Sequence, residues 1–284
     1  KNAMTLKKKI LLIVLSIFLL AIISFFTGYG IYAYQLIKSV PTELTEEVAK
    51  QNQTYIKELY KEPLIQNLPY AITANEINLH AKSGILIDAA TGWILYEKNA
   101  DEVIPPASMT KVVLMYLALD ALEKGQIKLT DKIDLPPESW AINAPPHSSL
   151  MFLGKDQNVT FEELLIGMNV VSGNDAAVAV AMTLFGTMEN CIAQMNKVVQ
   201  DLGLTKTRFV ESSGYSENNL TTAREFAIFS RSYVTRFPES LQKYHSIKSF
   251  TYPKKHNLAP YIDYEDAKVN GVPLEGTMPI TQKA

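Results

Sequence analysis

A serine and a lysine three residues apart open a long apolar helical pattern, "PPASMTKVVLMYLALDAL". Pro105 and Pro106 favour extended backbone just before the helix. Ser108 is therefore expected at or near the helix N-terminus, where unpaired amide groups and the helix dipole favour negative charge. Because residues three apart share a helix face, Lys111 is expected to bring its amine beside the Ser108 hydroxyl.

This pair allows two interpretations. A lysine that acts as a base must be neutral, and the apolar residues after Lys111 provide a setting that lowers the pKa of a lysine. Ser108 would then be an activated nucleophile. In the other interpretation Ser108 is an ordinary helix cap and Lys111 a surface residue, which is the commoner meaning of Ser-x-x-Lys taken alone.

A second polar segment interrupts an apolar helical pattern at "NVVSGNDAAVAVA". The Ser172 hydroxyl could relay a proton to a departing amine, and Asn174 offers both a donor and an acceptor, which suits an amide substrate. Alternatively, the segment is a turn between helices in which Ser172 or Asn174 caps the next helix.

The composition limits the classes of function. The chain has 284 residues, 47% of them hydrophobic, and a net charge of −2, so it can build a sizeable core and has no global basic field for nucleic acid. There is no zinc-type Cys/His pattern and no phosphate-binding Gly-rich loop, so neither a metal nor another cofactor is expected. The single cysteine, Cys191, follows a helical apolar spacing and is expected to be a buried structural thiol.

The N-terminus predicts a membrane anchor. Three lysines at 7–9 precede an uncharged, mostly apolar run from Ile10 to Ile37, which is long enough to cross a bilayer with the N-terminus inside. The alternative is a cleaved signal peptide, for which "GYGIYA" is a weak cleavage site. The predicted organisation is a cytoplasmic segment (1–9), an anchor or signal segment (10–37), a stalk or linker (38–78) and a folded domain (79–284).

Most of the elements predicted in the folded domain are helices, and few strands come between them. Residues 83–98 predict two strands joined by the turn "AATG". Further predictions are a helix at 108–124 stopped by Gly125, helices at 159–171, 174–186 and 188–203, a helix capped by Thr221 or Thr222 with Glu225 as a capping-box partner, and a strand at 248–252. The pattern predicts an α+β domain in which a hairpin leads into a helix-rich middle.

Together, "PASMTK" and "SGN" 64 residues later resemble the motifs of the serine penicillin-binding proteins. The segments "AKSGILIDAATGWILYEKNADEVIPPASMTK", "MNKVVQDLGLTKTRFVESSGY" and "LTTAREFAIFSR" are similar to those of the low-molecular-weight D-alanyl-D-alanine carboxypeptidases (peptidase S11 type). The resemblance covers roughly residues 80–252. It implies the DD-peptidase/β-lactamase-like fold, with an antiparallel sheet and a helix-rich subdomain.

The resemblance also implies roles for the motif residues. Ser108 would attack the terminal D-Ala-D-Ala bond of a peptidoglycan stem peptide, with Lys111 as the base and the Ser108 amide as half of the oxyanion hole. Ser172 would relay the proton to the departing D-alanine, and Asn174 would position the substrate. β-Lactams would acylate the same serine. The domain would lie outside the cytoplasmic membrane.

One motif of the family is missing, since Lys-Thr-Gly does not occur and "LEGTMP" has Glu275 where the lysine is expected. The favoured interpretation is a piece of a longer enzyme, and the alternative is a catalytically disabled relative that binds peptidoglycan or a wall-synthesis partner. A β-lactamase with Glu211 as its deacylating carboxylate is less favoured, because "TRFVESSGY" resembles the carboxypeptidases. The loop "APPHSSL" between the two motifs either lines the cleft or only connects helices.

Overall fold

The computed structural model describes residues 65–70, 77, 79–264 and 280–283. The predicted cytoplasmic segment (1–9), the predicted anchor (10–37) and "LEGTMP" lie outside the described residues. Within the described part, no single helix combines the length and the apolar composition of a membrane span, although the bent pair Asn174–Phe185 and Met188–Asp201 meets both criteria when joined.

The described residues form seven short strands and five α-helices. The strands are β1 (Gln66–Asn67), β2 (Gly84–Ile87), β3 (Trp93–Lys98), β4 (Lys132–Ile133), β5 (Val159–Thr160), β6 (Ser249–Tyr252) and β7 (Ile280–Lys283). The helices are α1 (Thr110–Glu123), α2 (Phe161–Val170), α3 (Asn174–Phe185), α4 (Met188–Asp201) and α5 (Ala223–Arg236). The predicted α+β composition is confirmed.

The predicted hairpin at 83–98 is confirmed as the antiparallel pair β2–β3. Its turn is closed by Asp88, whose carboxylate accepts hydrogen bonds from the Thr91 amide (2.6 Å) and hydroxyl (2.7 Å). The sheet is not purely antiparallel, because β1 joins β3 in parallel. Residues 66–67 of the predicted linker therefore contribute to the sheet.

Helix α1 runs through the core with nine of its fourteen residues buried. It packs against α3 and α4, while α5 packs against β2. The extensive burial of α1 follows from "VVLMYLALDAL", which is apolar on nearly every side and is stable only when other elements surround it. Helix α4 is amphipathic instead and buries Cys191, Met195 and Val199, so the prediction of a buried thiol is confirmed.

The helix boundaries agree with the predictions, but the capping residues differ in detail. Thr160 and Glu163 form a complete capping box at α2. At α5, Thr222 is the N-cap and accepts from the Glu225 amide, whereas the Glu225 carboxylate turns away to the Lys206 amide and the Thr207 hydroxyl. The second half of the predicted capping box at α5 is therefore wrong, because this carboxylate anchors a neighbouring loop.

Candidate active site

Ser108 lies in the 3-10 turn Ala107–Met109 that leads directly into α1. The structure does not use it as a helix cap, since Met109 is the N-cap and makes no side-chain cap hydrogen bond. Ser108 is an exposed residue, whereas Lys111 is only 5% exposed. Their side chains meet, with 3.2 Å between Lys111 Nζ and Ser108 Oγ.

Lys111 is held by two further oxygens, both of which can only accept hydrogen bonds from it. Its Nζ donates to the Asn174 Oδ1 at 2.7 Å and to the backbone carbonyl of Ser213 at 2.6 Å. A neutral amine keeps two N–H donors and one lone pair. When the donors serve Asn174 and Ser213, the lone pair faces the Ser108 hydroxyl, which is the orientation that a base needs to remove its proton.

The surroundings of Lys111 also favour the neutral form. Burial lowers the pKa of the Lys111 ammonium to about 8, against the opposing attraction of the Glu211 and Asp175 carboxylates. A pKa of about 8 leaves roughly one-tenth of the amine neutral at pH 7, where a freely solvated lysine has far less. The site therefore combines a contact between the Lys111 amine and the Ser108 hydroxyl with an appreciable fraction of neutral Lys111 at pH 7.

The second motif is positioned by the start of α3. Gly173 is the N-cap of this helix and Asn174 its first residue, so the Asn174 side chain projects from the helix end toward Lys111. The next residue, Asp175, is buried and accepts from the backbone amides of Met151 (2.8 Å) and Leu153 (2.9 Å). Asp175 thus fixes the loop that precedes β5 against the helix that presents Asn174.

Ser172 has two unusual features. Its backbone is left-handed, with φ of 59°, and its hydroxyl oxygen is buried with no hydrogen-bond partner among the described residues. Both features are uncommon, since left-handed backbone strains a residue other than glycine and buried polar atoms are normally paired. Ala107, next to Ser108, is also left-handed, with φ of 48°. Left-handed backbone therefore occurs directly before Ser108 in the first motif and at Ser172 itself in the second.

A third segment, 211–214, completes the site and was not predicted from the sequence to do so. Ser213 supplies the carbonyl that accepts from Lys111. Gly214 has φ of +82°, and a Cβ there would lie 1.8 Å from the Ala107 carbonyl oxygen, so only glycine fits against the turn that carries Ser108. The signal available in the sequence was the Ser-Gly pair of "ESSGY", which marks a tight turn.

The loop "APPHSSL" contacts the site on both sides. The Ser149 carbonyl accepts from the Asn174 amide at 2.7 Å, and the Pro146 carbonyl accepts from the Tyr215 hydroxyl at 3.2 Å. The loop therefore borders the cleft. Among the described residues, no group of three or more His, Cys, Asp or Glu side chains is arranged to hold a metal ion.

These motifs on an α+β scaffold define the serine penicillin-binding class of protein. The chain belongs to the peptidase S11 family, D-alanyl-D-alanine carboxypeptidase, which it matches over residues 70–270. The family predicted from the motifs is confirmed.

Individual relatives agree with this assignment. The D-alanyl-D-alanine carboxypeptidase DacF of Bacillus subtilis is 37% identical over 178 residues, which cover 62% of this chain and 43% of the relative. The solved structure of penicillin binding protein 5 from Haemophilus influenzae has a TM-score of 0.61 and 37% identity, over 65% of this chain and 53% of that one. The ampicillin-bound form of penicillin-binding protein D2 from Listeria monocytogenes has a TM-score of 0.55 and 25% identity, over 62% and 70%. The chain spans less than half the length of the curated relative.

Proposed function

We propose that this chain carries the acylation site of a serine D-alanyl-D-alanine carboxypeptidase that trims the terminal D-alanine from peptidoglycan stem peptides. The observation that carries the proposal is the coordination of Lys111, whose two fixed acceptors direct its lone pair at Ser108 Oγ. Membership in the peptidase S11 family supports the choice of substrate.

The proposed reaction begins with proton transfer from Ser108 Oγ to Lys111 Nζ while Oγ bonds to the substrate carbonyl carbon. The oxyanion that forms accepts from the Ser108 amide, which belongs to the first helical turn and has no acceptor within its helix. The carbon–nitrogen bond then breaks, and the proton passes from Lys111 through the Ser172 hydroxyl to the leaving D-alanine amine. Asn174 orients the peptide, and water hydrolyses the ester to release the shortened peptide and restore Ser108.

The same serine is proposed to form a stable ester with β-lactams, because they present a strained amide to the same nucleophile. The ampicillin-bound relative supports this part of the proposal. The test is the intact mass of the protein after incubation with benzylpenicillin, compared with Ser108→Ala. We expect one penicilloyl group per chain and none on the variant; no adduct on a folded chain would contradict the proposal.

Two further assays separate the alternatives. Release of D-alanine from a peptide ending in D-Ala-D-Ala identifies a carboxypeptidase, whereas rapid turnover of penicillin identifies a β-lactamase. A folded chain that binds peptidoglycan but forms no adduct and releases no D-alanine would instead be a binding module.

The proposed location is the outer side of the bacterial cytoplasmic membrane, with residues 10–37 as the anchor. The basic residues before this run and its length support the orientation. Deleting residues 1–37 is expected to move the protein from the membrane fraction to the soluble fraction of the producing cells. Equal distribution of the two forms would contradict the anchor.

A further inference from the structure

Glu211 lies outside both sequence motifs, yet its carboxylate gathers several donors next to Lys111. One oxygen, Oε2, accepts from the Ser213 amide and from the Ser213 hydroxyl, both at 2.6 Å. The other, Oε1, accepts from the Gly214 amide and from Asn219 Nδ2, both at 2.7 Å. The carboxylate therefore fixes the backbone of two consecutive residues.

These two residues are the ones that shape the site from this side. The Ser213 carbonyl is one of the fixed acceptors of Lys111, at 2.6 Å, and Gly214 packs against the Ala107 backbone beside Ser108. Rotation of the Ser213 peptide group would move an acceptor away from Lys111. The contacts of Glu211 prevent that rotation because its Oε1 holds the Gly214 amide, which belongs to the same planar peptide group as the Ser213 carbonyl.

Asn219 extends this network to the first residue of α1. Its side chain is fully buried and its Nδ2 lies within 3.2 Å of Thr110 Oγ1. Its Oδ1 accepts from the Val210 amide at 2.8 Å. The segment that bears Glu211 is thus hydrogen-bonded to two consecutive residues of α1, Thr110 and Lys111.

We propose that Glu211 is a positioning residue of this site: its carboxylate aims the Ser213 carbonyl at Lys111 and so directs the lone pair of Lys111 at Ser108. None of the Glu211 contacts described above reaches the Ser108 hydroxyl or the Lys111 amine. The inference rests on the proposed role of Lys111 as the base, and it differs from a deacylating role because Glu211 acts before the acyl-enzyme forms.

The charge of Glu211 gives the proposal a specific signature. The Glu211 carboxylate raises the pKa of Lys111 against the effect of burial, and Asp175 on α3 acts in the same direction. On the α4 side, Glu211 faces Cys191, where burial followed by the charge of Glu211 raises the thiol pKa to about 12. Cys191 therefore stays protonated while Lys111 titrates.

Two variants separate charge from position. Glu211→Gln removes the charge and places an NH2 group against donors, so Lys111 is expected to titrate about 0.5 to 1 pH unit lower while acylation at saturating pH falls about tenfold or more. Glu211→Asp keeps the charge but shortens the reach. It is expected to acylate more slowly with a titration midpoint close to that of the unchanged chain.

The direct measurement is NMR titration of the full chain labelled with ¹³C at lysine Cε, with Lys111 assigned by its loss in Lys111→Met. The acylation rate with benzylpenicillin is measured over the same pH range. Glu217→Gln, in the same loop but exposed, is the matched control and should match the unchanged chain in both measurements.

The outcomes distinguish this inference from the proposed function. Unchanged titration of Lys111 in Glu211→Gln, or an unchanged acylation rate in a folded Glu211→Asp, would overturn the positioning role. If the unchanged chain forms no adduct, the proposed function fails, while the titration still tests whether Glu211 acts on Lys111. Should Glu211→Gln not fold, Glu211→Asp decides the matter through its rate and midpoint.

Discussion

Lys111 has a buried amine that contacts three oxygen atoms. Burial disfavours its charged form, whereas the Glu211 and Asp175 carboxylates favour that form, so the residue is poised between its two protonation states. A surface lysine would remain charged at neutral pH and could not act as a base.

This balance predicts the pH dependence of acylation. Since burial lowers the pKa of Lys111 to about 8, the neutral base accumulates as the pH rises through that value. The second-order rate of acylation by benzylpenicillin should therefore rise between pH 7 and 9 and then level off. Lys111→Arg should give no adduct over the same range, because arginine does not deprotonate. A flat profile for the unchanged chain would contradict the assignment.

Gly214 predicts a steric effect that can be separated from backbone strain. Gly214→Ala would place Cβ 1.8 Å from the Ala107 carbonyl oxygen, whereas Gly125 has a similar φ of +67° and nothing within 4 Å of its Cβ position. Gly125→Ala should cost about 1–2 kcal/mol in the free energy of unfolding and leave acylation unchanged. Gly214→Ala should cost more and lose acylation, as measured by denaturant unfolding and adduct mass. Equal behaviour of the two variants would exclude the clash.

The sequence indicates part of this site and conceals the rest for a physical reason. The contact of Ser108 with Lys111 is local, since helical geometry alone brings residues three apart together. The Ser213 carbonyl is a backbone group that any residue possesses, so no residue type marks it. For Glu211 the sequence suggests only a deacylating carboxylate, because the Ser-Gly pair indicates a turn but not which groups that turn brings to the carboxylate.

At the scale of elements, Asp175 joins the start of α3 to the loop that precedes β5. Burial raises the pKa of this carboxyl, while hydrogen bonds from the amides of Met151, Leu153 and Ala176 oppose that effect. These bonds explain why the residue after Asn174 is acidic in an otherwise apolar helix.

Asp175→Asn tests this connection. An NH2 group would face the Met151 or Leu153 amide, so we expect a loss of about 1–3 kcal/mol in the free energy of unfolding, together with slower acylation because Asn174 shifts. Asp134→Asn, at an exposed position, is the matched control. Equal denaturation midpoints for the two variants would show that Asp175 does not anchor the loop.

The helices and the hairpin were predicted well because their periodicity and end signals are local. The capping box predicted with Glu225 is only half formed, because tertiary contacts with Lys206 and Thr207 compete for its carboxylate. The pairing of Gln66 and Asn67 with β3 is a long-range contact. Two residues carry too little pattern to reveal such a pairing.

At the scale of the whole described domain, α5 is fastened to the hairpin by arginines. Arg231 is buried and donates to the turn carbonyls of Ala89 and Ala90, both at 3.0 Å. Arg224 adds a more exposed ion pair with Glu97 on β3 at 2.7 Å. The buried contact should dominate, because exposed ion pairs contribute little.

Arg231→Met should therefore lower the free energy of unfolding by about 2–3 kcal/mol, since it leaves two carbonyl groups of the turn without their charged donor. The exposed Arg208→Met should change it by less than about 0.5 kcal/mol. Urea denaturation of both variants, followed by circular dichroism, measures the difference. Similar values would mean that packing alone holds α5 on the hairpin.

The contact between Lys111 and the Ser213 carbonyl spans 102 positions of the chain, which has a consequence for biosynthesis. At ordinary rates of translation, roughly 5–20 s separate the synthesis of the two residues. During that interval the nascent chain already carries Ser108 and Lys111 but lacks the acceptor that orients the amine. Ser108 should therefore become reactive only after residue 213 has been synthesised. Ribosome-bound chains that end before residue 213 should not be labelled by a fluorescent penicillin.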